Sequence, residues 1–248
     1  MAGDMRKTAV VTGGAGGIGS AICLALAEAG YRVVVGYNSS ADAAAILADG
    51  LPGTGHLAVA MPVTDTGAMA VAAERVAEAC SSVELLVNAA GVTRFVPHGD
   101  LDALDDALIS SILDVNVRGV IVSVRAFLPL LRAAGKAVIV NISSIAAVTG
   151  MGSNIAYCAS KAAVDNLTIS MARAFAPAIR VLSVSPGLVA TEFVQGLDQN
   201  WRELQAGRTP LGRLAEPREV AVAVLSAAEH FTFTTGAILP VDGGRKIF

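Results

Sequence analysis

The chain has 248 residues, 54% of them apolar and 16% charged, which is enough to bury a large core and far from a disordered composition. A formal net charge of −3 and the lack of any basic run argue against nucleic acid or a membrane surface as partners. Cys23, Cys80 and Cys158 show neither metal spacing nor a disulfide framework. No stretch reads as the roughly 20 uninterrupted apolar residues of a membrane span, so a cytoplasmic location is expected, with no metal.

Taken in chain order, residues 8–12 read as a strand, and residues 18–29 as a helix stopped by Gly30. Arg6 and Lys7 ahead of this apolar stretch resemble a signal peptide. The interruption by Gly13, Gly14, Gly16, Gly17 and Gly19 instead favours a strand, a phosphate loop and a helix. Residues 31–37 form a second strand, and Ser40 is placed to cap a helix over 41–48. A third strand over 56–63 precedes a helix over 68–79, with Asp65 as a capping residue. Residues 84–88 form a fourth strand, and a long helical region over 102–134 is broken near 116–119. A fifth strand over 136–143, a helix over 157–175 and a sixth strand over 179–185 follow, the last stopped by Pro186-Gly187. Pro217 suits the first turn of a helix ending at Ala227, and residues 237–241 form the last strand.

Several of these strands, such as residues 137–140, are apolar at every position, as in a parallel sheet covered on both faces. Strand–helix alternation with right-handed crossovers predicts an α/β protein with a doubly wound parallel sheet. Without linkers or repeats, residues 1–248 are expected to form a single domain. Residues 188–214 break the pattern. They carry Phe193, Leu197 and the only tryptophan, Trp201, between Gly187 and Gly212. A long excursion after a strand end suits a substrate-binding lid, and a packed helical excursion without motion is the alternative.

The glycine-rich stretch sits between a strand and a helix, where a Rossmann fold binds a dinucleotide. Glycines there let the backbone approach a pyrophosphate at the helix N-terminus. Two registers overlap: Gly14, Gly16 and Gly19 match G-x-G-x-x-G, whereas Thr12, Gly13, Gly17 and Gly19 match T-G-x-x-x-G-x-G. Binding of NAD calls for an acid at the end of the second strand to hold the ribose 2′-hydroxyl. Tyr37, Asn38 and Ser39 stand there instead, so the 2′-phosphate of NADP is tolerated, and NADP is expected ahead of NAD.

Tyr157 and Lys161 lie four apart at the start of a helix, on one face. A free tyrosine, with a pKa of about 10, is a poor acid or base at neutral pH, and a nearby cation lowers that value. The pair has company. Asn88-Ala89-Ala90-Gly91 closes the fourth strand, Asn116-Val117-Arg118-Gly119 interrupts the long helix, and Asn141-Ile142-Ser143-Ser144 closes the fifth strand. Pro186-Gly187-Leu188-Val189-Ala190-Thr191 follows the sixth.

With Thr235-Gly236 and Val241-Asp242-Gly243-Gly244, these motifs resemble, in order and over essentially the whole chain, the short-chain dehydrogenase/reductase family. The resemblance selects the glycine register that includes Thr12. It implies that Tyr157 gives a proton to a carbonyl oxygen or takes one from an alcohol. Lys161 would lower the tyrosine pKa and hold the nicotinamide ribose, Ser144 would hold the substrate oxygen, and Asn116 would maintain a relay water. Ser143 is the rival serine, but Ser144 has the family spacing to Tyr157. The implied cofactor contacts are Gly13, Gly17, Ile18 and Gly19 in the loop, Tyr37, Asn38 and Ser39 at the ribose, and Asn88 and Gly91 on the adenosine side. Pro186, Gly187, Val189 and Thr191 would hold the nicotinamide.

The chain departs from the family where Pro62 replaces an aspartate that bonds adenine, leaving the backbone of Val63 for that contact. It is also similar to 3-oxoacyl-acyl-carrier-protein reductases, including Val92-Thr93-Arg94. Small residues such as Gly135 and Ala178 stand where carrier-binding members carry basic ones. The expected function is therefore NADP(H)-dependent oxidoreduction of a small-molecule carbonyl or secondary alcohol. The alternatives are the acyl-carrier reductase and a non-catalytic dinucleotide-binding regulator. Arg94, Phe95, Ile145, Met151, Asn154, Phe193 and Trp201 are expected to edge the pocket, His98 to be a loop residue, and the chain to form a dimer or tetramer.

Overall fold

Runs of β-branched and apolar residues build the sheet. The computed structural model describes residues 6–195 and 198–245, so Leu197 lies outside the described residues. The strands are β1 (Thr8–Thr12), β2 (Arg32–Tyr37), β3 (Leu57–Ala60), β4 (Leu85–Asn88), β5 (Ala137–Ile142), β6 (Ile179–Pro186) and β7 (Ile238–Val241). All pair in parallel, in the order β3-β2-β1-β4-β5-β6-β7. The chain winds outward from β1 to β3, returns to place β4 against the other side of β1, and then winds the opposite way. That reversal is the doubly wound Rossmann arrangement, and it opens a crevice at the C-terminal ends of β1 and β4.

Helices α1 (Gly17–Glu28), α2 (Ala41–Gly50) and α3 (Thr66–Ala79) follow the first three strands. Helix α4 (Asp106–Leu113) runs through a π-turn (Asp114–Arg118) into α5 (Gly119–Ala133). Then come α6 (Ala146–Thr149), α7 (Ile155–Phe175), α8 (Glu192–Gln195), α9 (Gln199–Gly207) and α10 (Pro217–Glu229). Alternate strand residues supply two cores. Ala9, Val11, Leu85 and Val87 pack with α1 and α10 on one face, while Val10, Leu86 and Ile139 pack with α3, α5 and α7 on the other. Strands buried on both sides explain why they are apolar throughout.

Several elements differ from expectation for local reasons. Strand β3 ends at Ala60, because Pro62 has no N–H to donate to the ladder. Ser40 precedes α2, but its side chain makes no capping bond. The long helix starts at Asp106, capped by Asp105, whose carboxylate accepts from Leu108 N at 2.7 Å. It is not broken near Asn116, since the π-turn carries the helix through. The continuous segment Asp106–Ala133 has 28 residues, with a mean hydropathy of 1.6 over an 18-residue stretch, long and apolar enough to cross a membrane by length and composition. In this fold its Val120, Val124, Phe127 and Leu131 are buried in the core, while Leu113 and Ile121 are exposed. Helix α7 starts two residues before Tyr157, at Ile155.

Candidate active site

The glycine loop passes from β1 into α1 under tight constraints. Gly13 has φ +64°, and a Cβ there would lie 2.8 Å from Ala90 Cα. A Cβ on Gly19 would lie 2.1 Å from the carbonyl oxygen of Gly13, which no side chain tolerates. Helix α1 carries no side-chain cap and no acidic residue in its first turn. Its leading N–H groups, at Gly17, Ile18 and Gly19, are therefore left without a side-chain cap, as a pyrophosphate site requires. Across the crevice, the Thr191 side chain lies 3.1 Å from the place of a Gly17 Cβ. The loops after β1 and β6 thus approach each other at the switch point.

Pairing register places a polar row at the strand ends. Thr12 lies opposite Asn88, Asn88 opposite Asn141, and Asn141 opposite Ser183. Asn88 Nδ2 donates to Asn141 Oδ1 at 2.8 Å, and Asn141 Nδ2 donates to Thr168 Oγ1 on α7 at 2.9 Å. Asn88 Oδ1 is buried without a partner, although a buried amide oxygen ordinarily has one. A bound dinucleotide would give it a donor. Together with the glycine cradle, this orphaned acceptor fits the chain for such a cofactor.

The π-turn and the start of α7 converge beside this row. Asn116 is buried; its Nδ2 donates to Val92 O at 3.1 Å and to Ser160 Oγ at 3.0 Å, and its Oδ1 accepts from Val92 N at 2.8 Å. Lys161, 6% exposed, donates from Nζ to Ile142 O at 2.9 Å and lies 5.6 Å from the centroid of the Tyr157 ring. Asn116 Oδ1 and Lys161 Nζ both fall within 4 Å of the place a Cβ on Gly91 would take. Ser144 Oγ accepts from Ala146 N at 3.2 Å and lies close enough to the Tyr157 phenol to lower its pKa. Ser143 is turned away, donating to Lys161 O at 3.3 Å. The structure therefore gathers Asn116, Ser144, Tyr157, Lys161 and Gly91 at one place.

Burial dominates the electrostatics. It pulls the Lys161 ammonium down to about 8, against the opposing pull of the Asp165 carboxylate. Burial also pushes the Tyr157 phenol above its ordinary value, while the Ser144 side chain acts in the other direction. The expectation that the Lys161 cation lowers the tyrosine is corrected here: its ammonium is turned to the carbonyl of Ile142, and desolvation is the larger influence on the phenol. Burial likewise lifts the Cys23 thiol to about 12 and raises Cys158, and the three cysteines are free. They are poor nucleophiles in these settings.

The remaining predicted contacts spread along the crevice. Tyr37 is half-buried, with Asn38 and Ser39 exposed beyond it. Val63 is buried against Gly119. Pro186 O accepts from Ile145 N at 3.0 Å, joining the loop after β6 to the one that carries Ser144. Gly187 N donates to Val241 O, and Val189 bridges Ala215.

Among the residues expected at the pocket edge, Phe95 and Met151 are exposed, whereas Asn154 is fully buried and Ile145 is buried. Arg94 turns its guanidinium to Asp105 and Ala103 O. The Phe193 side chain lies outside the described residues. His98 is a loop residue, with Nε2 at 3.2 Å from Gly152 O. Reading only the residues just past the helices also overlooked two exposed cations in their last turns, Arg132 on α5 and Arg173 on α7.

Comparison with known proteins agrees with this architecture. The family model for short chain dehydrogenase matches residues 7–201. The cis-4-hydroxycyclohexanecarboxylate dehydrogenase of Sinomonas cyclohexanicum is 40% identical over 243 residues, covering 96% of each chain. The 3-oxoacyl-[acyl-carrier-protein] reductase of Thermotoga maritima is 33% identical, covering 97% of this chain and 98% of that one. A solved structure from Burkholderia xenovorans, assigned to the short-chain dehydrogenases/reductases, superposes with a TM-score of 0.91 at 32% identity, over 99% of this chain and 100% of that one. The chain belongs to the short-chain dehydrogenase/reductase family and is a nicotinamide-dinucleotide-dependent oxidoreductase.

Proposed function

We propose that the chain interconverts a carbonyl and a secondary alcohol on a small-molecule substrate, with NADP(H) as cofactor and Tyr157 as the acid/base. The observation that carries this reading is the convergence of Ser144, Tyr157, Lys161 and Asn116 beside the orphaned Asn88 acceptor and the glycine cradle. When bound, the nicotinamide supplies or takes the hydride at the substrate carbon. Gly13, Gly17, Ile18 and Gly19 hold the pyrophosphate, and Asn88, Gly91 and the Val63 backbone line the adenosine side. Pro186, Gly187, Val189 and Thr191 hold the nicotinamide, and residues 188–214 cover the substrate.

In reduction, the Tyr157 hydroxyl gives its proton to the carbonyl oxygen, which the Ser144 hydroxyl orients. Lys161 holds the nicotinamide ribose. Its ammonium, brought to about 8 by burial, is poised to return a proton to the tyrosine near neutral pH. Asn116 holds the π-turn in place through Val92 and Ser160 and maintains the water that connects Lys161 to solvent. The preference for NADP rests on Tyr37, Asn38 and Ser39: no carboxylate stands at the end of β2 to repel a 2′-phosphate. Leu113 and Ile121, each 42% exposed on the long helix, support assembly into a dimer or tetramer.

Replacing Tyr157 by Phe keeps the ring and removes the proton. Turnover on any good carbonyl or alcohol should fall by about 10² to 10⁴, the usual worth of a positioned acid/base. Cofactor affinity should change little. Near-normal turnover in Tyr157→Phe sinks the mechanism. A second reading, reduction of a 3-oxoacyl group on a carrier protein, is favoured by exposed Arg132 and Arg173, which suit an acidic partner. Comparing carrier-bound with free thioester as substrate separates the two.

A further inference from the structure

Helix α7 presents Tyr157, and its cap does more than end a helix. Asn154 is fully buried in extended backbone, and its Oδ1 accepts from Tyr157 N at 2.7 Å. Its amide nitrogen reaches the opposite way, to Arg94 O at 2.8 Å and Thr93 Oγ1 at 3.3 Å. Capping needs only the oxygen, so the two donations are additional. The neighbours of Asn154 reinforce the same seam. Ser153 O accepts from Val96 N at 2.8 Å, and Ser153 Oγ lies 2.5 Å from Thr93 Oγ1.

The other end of this loop is held by Asn116, which bonds both backbone groups of Val92. Three consecutive residues, Val92 to Arg94, are therefore gripped by one asparagine from the π-turn and another from the cap of α7. A short strut of this kind has little freedom, because two buried amide side chains hold its backbone groups and the Thr93 and Ser153 hydroxyls add a further tie.

We propose that Asn154 is a positioning residue: through the strut 92–94 it sets Tyr157 in register with the Asn116 turn and with the loop carrying Phe95. This rests on Tyr157 being the acid/base. The residue itself touches neither substrate nor cofactor in this scheme. Proton transfer depends on sub-ångström placement of the phenol, so loosening the strut lowers turnover without weakening the cofactor.

Asn154→Asp tests this. The carboxylate keeps the acceptor for Tyr157 N, loses both donations and sets an oxygen against the Arg94 carbonyl. The expected result is a fall in kcat of at least tenfold, with cofactor Kd within twofold of wild type. Thr93→Val is the companion variant. Thr93 is exposed, so the substitution is tolerated by the fold, and it removes the hydroxyl shared by Asn154 and Ser153. Here kcat should fall about threefold, with Kd and Tm unchanged, which a purely stabilising role does not produce. Unchanged kcat in Asn154→Asp overturns the proposal. If that variant does not fold, unchanged kcat in Thr93→Val overturns it. A dead Tyr157→Phe beside normal strut variants refutes this inference alone. An active Tyr157→Phe refutes the acid/base reading beneath it.

Discussion

Lys161 makes the protein's stability depend on pH in a way that can be isolated. Its buried ammonium is held at about 8 instead of the ordinary lysine value of 10.5. A lysine whose folded value is depressed leaves the native state short of a proton between those two values, while the unfolded chain still holds it. Stability therefore rises with pH across the window from about 8 to 10.5. At 1.36 kcal/mol per pKa unit, the rise from pH 7 to pH 10 amounts to about 2–3 kcal/mol for this residue.

Lys161→Met fills similar space without a titrating group. At pH 7 the variant gains by removing the buried charge, but it leaves Ile142 O without its donor, which costs about 1–3 kcal/mol. Net stability at one pH is thus a weak test, and the slope is the strong one. Urea unfolding of wild type and Lys161→Met, both stripped of cofactor, should be followed from pH 7 to pH 10. Subtracting the two curves removes the contributions of the other titrating groups. Wild type should gain about 2–3 kcal/mol relative to the variant over the series. Parallel curves refute the reasoning, because they mean that Lys161 is solvated like a surface lysine.

Other outcomes follow from single contacts. Gly19→Ala drives a Cβ to 2.1 Å from Gly13 O, so cofactor affinity measured by fluorescence titration should drop at least about 100-fold, while circular dichroism shows the fold retained. Tyr37→Asp places a carboxylate at the 2′-phosphate, and the ratio of NADP to NAD affinity should fall about tenfold, or 1.4 kcal/mol; wild type binding NAD more tightly contradicts the assignment. Phe127→Ala empties a fully buried ring site and should cost about 3–5 kcal/mol in chemical denaturation. Sedimentation should show a dimer or tetramer at micromolar concentration, and a 25.1 kDa species alone counts against assembly.

Much of this was legible in the sequence because it is local. Apolar strands, glycines between β1 and α1, and the four-residue spacing of Tyr157 and Lys161 follow from chain geometry over a few residues. The doubly wound sheet and the edge that carries the site follow from strand–helix order. The cap by Asp65 is also local, and its carboxylate accepts from Ala68 N at 3.0 Å.

What tertiary structure alone decided depends on register and burial. Thr12, Asn88, Asn141 and Ser183 form one row only once four strands are aligned. The unbroken passage of the long helix through a π-turn depends on Asn116 finding Val92 and Ser160. Asn154 read as a pocket residue until packing turned its amide onto the 93–94 backbone. The sign of the influence on Tyr157 and Lys161 was likewise out of reach: charge spacing is written in sequence, whereas the loss of water around a charge is a property of the folded interior.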